Sequence, residues 1–290
     1  MLGQFLPANS RLTGRKVLSK LGKMQVFKLT LEYEGTRYRG WQEQKNARTV
    51  AGELRRAAQI LCGPEIEIGG AGRTDSGVHA LGQVAHLRTV RRIRASELRH
   101  GLNDNLPADI NILKVEQAGK DFHARRNARA RSYLYQISLR RTAFAKPFVW
   151  WVKDELDFEA MRIASEKLAG RHDFFNFCEP RGDDRSTVVI VDAVEMALAA
   201  DLVLFRITAS HFLWKMVRRI VGAIVEMGRG NITQKDFESL LESGKTKQGR
   251  ATFNVAAHTA PPSGLFLERV IYGKSDRLAP IGPAFPVRTF

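Results

Sequence analysis

Apolar and polar positions alternate along VFKLTLEY, EIEI, GQVAHLRT and DINILKVE, the two-residue period of half-buried strands. Between them the period lengthens to that of a helix. Thr49 opens one that runs through Leu61 and stops at Gly63-Pro64, and Ser96 opens a shorter one. The order is β-α-β-β-α-β. The second half repeats it with SYLYQISL, a helix from Asp157 to Leu168 closed by Gly170, and the pair TVVIVDAVEMAL and LVLFRITA. A long helix from Phe212 to Met227, a further one with a T-x-x-D cap at Thr233 and Asp236, and the strand GLFLERVIY complete the set. Two split β-α-β, ferredoxin-like units are expected, making an α+β protein with a mixed, mainly antiparallel sheet and a basic cleft between the halves. The expected divisions are a basic extension over 1–23, subdomains over 24–120 and 121–275 with the boundary near 118–124, and a tail over 276–290.

A chain of 290 residues suits one large domain or two ordinary ones. No apolar run reaches the roughly 20 residues of a bilayer span. Even FLWKMVRRIVGAIVEM is broken by Lys215, Arg218 and Arg219, so no membrane partner is expected. Cys62 and Cys178 stand far apart, which fits a reducing, cytoplasmic setting, and no His or Cys pair has zinc-ligand spacing. No metal is expected. The 46 Lys and Arg against 30 Asp and Glu leave a formal charge of +16, which selects a polyanion, nucleic acid before a membrane surface. Arginine is about twice as frequent as lysine, and its planar fork binds phosphate and stacks on bases. Residues 1–23 hold Arg11, Arg15, Lys16, Lys20 and Lys23 and no acid. They read as an RNA-contacting arm, a transit-like segment or a stretch ahead of a start at Met24, and are expected to be disordered without a catalytic role.

Two arginine clusters stand out. FHARRNARARSY sets Arg125, Arg126, Arg129 and Arg131 against Tyr133 and Tyr135, while Arg88, Arg91, Arg92 and Arg94 follow the third strand, a mixture suited to phosphate contact and base stacking. On the helix 212–227 the apolar arc runs through Met216, Ile220 and Ile224, with Lys215, Arg219 and Glu226 opposite. Arg218 stands at the edge of that arc and needs an acidic partner or a phosphate, and Gly222 one turn on leaves room beside it.

The stretch GGAGRTDSGVH carries more than a bend requires: Gly69, Gly70, Gly72 and Gly77 suffice for a sharp loop, yet Arg73 and Asp75 are set within it. With its continuation ALGQVAHL it resembles the A-G-R-T-D-A-G-V-H-x-x-G-Q-V loop of the tRNA pseudouridine synthase A (TruA) family. YEGTRYRGWQEQ, NDNLPADI, FHARRNARARSYLY, HDFFNFC, MVRRIVG and TAPPSGLFLERVIY resemble further motifs of that family, in order, over roughly 24 to 272. Departures are Ser76 for Ala, Ala51 for a frequent Gln, and Arg185-Ser186-Thr187 where Arg-Thr-hydrophobic is common.

The resemblance implies the pseudouridine synthase fold. It also implies a catalytic role for Asp75, with Arg218 paired to it and Tyr133 stacking on uracil and serving proton transfer. Arg73 is implied in flipping the base, and Leu267 lies with Arg73 and Tyr133 among the substrate-binding residues. For tRNA it points to Phe122, His123, Ala124, Arg125 and Arg126, and to Asp184, Arg185, Ser186, Thr187 and Val188; Arg92 and Arg94 join them from the basic cluster. The implied reaction isomerises uridines of the tRNA anticodon stem-loop, in a cofactor-free homodimer. The chemistry breaks the C1′–N1 bond, turns the uracil and joins C5 to C1′, with one carboxylate acting as nucleophile at C1′ or base at C2′. A non-catalytic RNA chaperone is the alternative, but binding alone gives no reason for an acid inside a basic cleft. A metal-dependent nuclease needs clustered carboxylates, and the loop offers only Asp75.

Overall fold

The alternating stretches of the first half fold as β1 (Gln25–Tyr33), β2 (Ile66–Gly70), β3 (His79–Thr89) and β4 (Ile110–Gln117), in a computed structural model that describes residues 24–179, 186–242 and 253–287. Between them lie α1 (Val50–Cys62) and α2 (Ala95–Asn105). The Thr49 side chain caps α1 by accepting from Gly52 N (3.2 Å), and Gly63 ends it at φ 81°. Ser96 does not cap α2: the helix begins at Ala95, and Glu97 reaches back to the Arg94 N–H (3.2 Å).

The second half supplies β5 (Ala130–Ser138), β6 (Trp150–Trp151), α3 (Phe158–Glu166), β7 (Gly170–Asp173), β8 (Val188–Ala199) and β9 (Leu202–Ala209). It closes with α4 (Met216–Gly228), α5 (Gln234–Glu242) and β10 (Leu265–Ile271). Asp157 caps α3 on Ala160 N, and Thr233 and Asp236 cap α5 reciprocally. The expected helix 212–227 is shorter than its periodicity suggests: Lys215 sits at φ 62°, so α4 starts at Met216 and residues 212–214 are free for another use. Arg219 and Glu226 are buried rather than solvent-facing, because α4 packs against α3, α5 and the 255–258 turn at once. Arg219 donates to Cys178 O, and Glu226 accepts from Asn231 Nδ2 (2.6 Å) and from Arg229.

The strands form one sheet in the order β4-β1-β3-β10-β5-β9-β8-β7, with β2 also beside β3 and β6 also beside β5. Each half has the strand order of a split β-α-β unit, β4-β1-β3-β2 and β10-β5-β9-β8. The join is the parallel pairing of β10 with β3, at Phe266–His79 and Leu267–Ala80, while β10 runs antiparallel to β5. All nine residues of β5 are buried, since the sheet is covered on both faces there. On one face residues 284–287 help to close a small core with Leu134, Val149 and Leu204, held by Gln136, whose Oε1 accepts from Ala284 N (2.6 Å). Among the described residues no helix is long and apolar enough to cross a membrane.

Candidate active site

The loop of Asp75 leaves the sheet at a notch. One edge of β3 belongs to β1; the other is shared, β2 pairing with Ala85–Thr89 and β10 with His79 and Ala80. Residues 71–78 emerge between the two. Their start is fixed by Ala71 N on Val84 O (2.7 Å) and by the Gln83 amide, which accepts from Gly72 N (3.4 Å) and donates to Gly72 O (3.1 Å). Thr74 Oγ1 meets the Tyr33 hydroxyl (2.8 Å) and Thr74 O accepts from Trp41 N (3.1 Å). Gly77 N and Ser76 Oγ both donate to Tyr38 O, and Val78 N closes a turn on Asp75 O (3.2 Å). The loop is therefore braced at almost every residue, which presents Asp75 and Arg73 from a rigid base.

The glycines divide their work. Gly77 alone of the four has positive φ, 78°. Gly70 serves close approach, since a Cβ there would lie 2.5 Å from the Trp41 ring, and Gly72 keeps the pocket floor open, with Tyr133 Oη 3.8 Å from where its Cβ would stand.

A cavity of about 650 Å³ opens over the notch and gathers Asp75, Arg73, Tyr133 and Arg218 with Arg125, Arg126, Ser186 and the wall 211–217. Tyr133, on β5, is 7% exposed and packs edge-on to Phe212 at 4.9 Å. Its hydroxyl makes no hydrogen bond among the described residues, and burial, with the charge of Asp75 adding, raises the phenol well above its ordinary pKa, so it is neutral. Leu267, paired with Tyr133 across the sheet, is fully buried beneath the loop.

Arg218 lies in the first turn of α4, its Nε donating to Ala260 O (2.7 Å). Burial lowers its pKa, and the charge of Asp75 opposes that. Gly222 leaves no room beside it: a Cβ there would fall 1.7 Å from His258 O, so the gap admits the backbone that holds Arg218.

The basic loop has both exposed and internal arginines. Arg125 and Arg126 are exposed at the cavity, their amides fixed on His123 Nδ1 (3.2 and 3.3 Å). Two arginines of the expected phosphate-binding clusters are instead buried braces. Arg88 donates to Lys120 O and Phe122 O, both at 2.7 Å, and Arg131 to four backbone carbonyls. Ala124 is fully buried, its N–H on His86 Nδ1 (3.2 Å) and its carbonyl on the Tyr272 hydroxyl (2.7 Å). Tyr135 is core, bonded to Pro261 O.

Phe122 is half-buried against Tyr272. Arg92 borders a separate depression with Met24 and Lys120, and exposed Arg94 is paired to Glu97. Ser186 reaches the cavity; Thr187 is buried on Asp173, and Val188 belongs to β8. Asp184 and Arg185, like 1–23, lie outside the described residues. The wall His211–Lys215 escaped the sequence reading because its apolar spacing continues that of α4. Burial, then Arg131 and Arg125, lowers the pKa of His211. Among the described residues no group of three or more His, Cys, Asp or Glu side chains is placed to hold a metal.

Comparison with known proteins gives one consistent result. A family profile described as tRNA pseudouridine synthase matches residues 30–126 and 164–273. The tRNA pseudouridine synthase A proteins of Brucella ovis and Brucella suis biovar 1 are each 39% identical over 254 residues, 86% of this chain and 98% of theirs. Among solved structures, the archaeal box H/ACA sRNP Nop10-Cbf5 complex aligns at 11% identity with a TM-score of 0.34 over 78% of this chain and 56% of that one, too distant to carry an argument.

Proposed function

We propose, since the chain belongs to the tRNA pseudouridine synthase family and isomerises uridine to pseudouridine in tRNA, that Asp75 carries the reaction, served by Arg218 and Tyr133, on the anticodon stem-loop. The observation behind this reading is the convergence of those three side chains, from three separate elements, on one cavity with a basic rim. Asp75, ionised beside Arg218, attacks C1′ or takes the C2′ proton, and either step releases N1 of the uracil. The base turns on the Tyr133 ring, C5 bonds to C1′ as the Asp75 carboxylate leaves that carbon or, on the second route, as the proton returns to C2′, and the proton lost from C5 is balanced by one gained at N1. Arg73, exposed at the loop's tip, fills the stack that the flipped nucleotide leaves. A cytoplasmic homodimer completes the reading, because one protomer covers only part of a tRNA and a second basic face grips the rest. Mapping pseudouridine in tRNA incubated with purified protein tests it: the new residues should fall in the anticodon stem-loop, and binding without modification of any transcript would favour the chaperone.

Two variants test the supporting groups. Tyr133→Phe should keep tRNA affinity and lose single-turnover rate, whereas Tyr133→Ala should also weaken capture by the ~1 to 3 kcal/mol of a stacked base. Unchanged turnover in both would return Tyr133 to the core. Replacing Arg125 and Arg126 together by Ala should weaken tRNA binding and flatten its log–log salt dependence by about one per lost phosphate contact. A wild-type slope would take the pair off the RNA path.

A further inference from the structure

Arg131 stands where two loops meet. Its Nη2 donates to Ala71 O and Arg125 O, each at 2.9 Å, and its Nη1 to Ser210 O (2.8 Å) and Ala128 O (3.4 Å). These carbonyls belong to the first residue of the Asp75 loop, to the basic loop, and to the turn entering the wall 211–215. The side chain is buried, and no carboxylate pairs with it among the described residues. An unpaired buried cation is costly, and here four carbonyl dipoles hold it. The planar fork meets all four at once, which an ammonium with three donors cannot do. Arg88 is a natural contrast: it braces the same basic loop through Lys120 O and Phe122 O and has no bond to the Asp75 loop.

We propose that Arg131 is a positioning residue for the isomerisation, tying the loop that grips RNA to the loop that carries Asp75 so that the placement of one fixes the other. This rests on the reading of Asp75 and of the basic loop given above. Single-turnover rates at saturating tRNA, with tRNA Kd measured in parallel, test it on Arg131→Lys, Arg131→Gln, Arg88→Lys and Asp75→Asn. Arg131→Lys should slow the saturated step about 10²-fold, the order that a displacement near 1 Å costs, with Kd within about threefold of wild type. Arg88→Lys should weaken binding and leave the saturated rate within about threefold. Arg131→Gln, which still reaches part of the carbonyl set, serves if the lysine variant does not fold.

A wild-type saturated rate in the Arg131 variants, or a loss confined to Kd as for Arg88, would overturn the coupling. So would failure of both Arg131 variants to bind tRNA, since Arg131 would then support the whole fold. Turnover by Asp75→Asn would instead remove the underlying reading, whatever Arg131 does.

Discussion

Asp75→Asn is expected to slow pseudouridine formation by at least about 10⁴-fold, the upper range for one acid–base group, while tRNA binding stays near wild type. The substitution is nearly isosteric and leaves the backbone braces of the loop untouched, from Ala71 N on Val84 O to Val78 N on Asp75 O. What it removes is the charge. An amide neither attacks C1′ nor takes a C2′ proton, so both routes stop at the first step. The measurement is pseudouridine yield in a single turnover, with tRNA binding as the control for folding. Substantial yield, after mass spectrometry excludes deamidation back to Asp, would reduce the loop to a structural turn.

Arg218→Ala should cost about 10² to 10³-fold in rate, the range for deleting one preorganised charge-stabilising group. The charges of Arg218 and Asp75 act on one another, and a cation near a carboxylate favours its ionised form. The sign follows. Without the cation a lower proton concentration is needed to ionise Asp75, so the acidic limb of the pH–rate profile should move to higher pH. The lost bond joins a charged donor to Ala260 O and is worth about 1.5 to 3 kcal/mol, so tRNA binding is measured alongside the rate as the control for folding. A limb that stays in place while the rate falls would mean that Arg218 holds the 260 segment and does not tune the carboxylate.

The order of elements was legible because period-2 alternation survives in a single sequence, and the Asp75 loop through its resemblance to a family motif. What misled was burial without a pattern. Every residue of β5 is inside, so alternation there could not show that Arg131 is covered while Arg125, a few residues before, is exposed. Arg131 read as surface charge because its partners are backbone carbonyls, which leave no trace in residue type, and Arg88 because two of its partners are carbonyls too, beside Glu67 at 3.6 Å. The start of α4 was hidden for a similar reason: Lys215 adopts a left-handed conformation usually signalled by Gly or Asn, and the apolar spacing runs straight across it. Gly222 reads as leaving room beside Arg218, but that space is filled by the 258–260 backbone.

The pairing of β10 with β3 also sets an order of events. Asp75 belongs to the first half of the chain, Tyr133 and Arg218 to the second, and the strand that seams the halves together follows them all. Among the described residues β10 is the last strand in sequence and the one bonded to both β3 and β5, so the two halves have no seam in the sheet until it is in place.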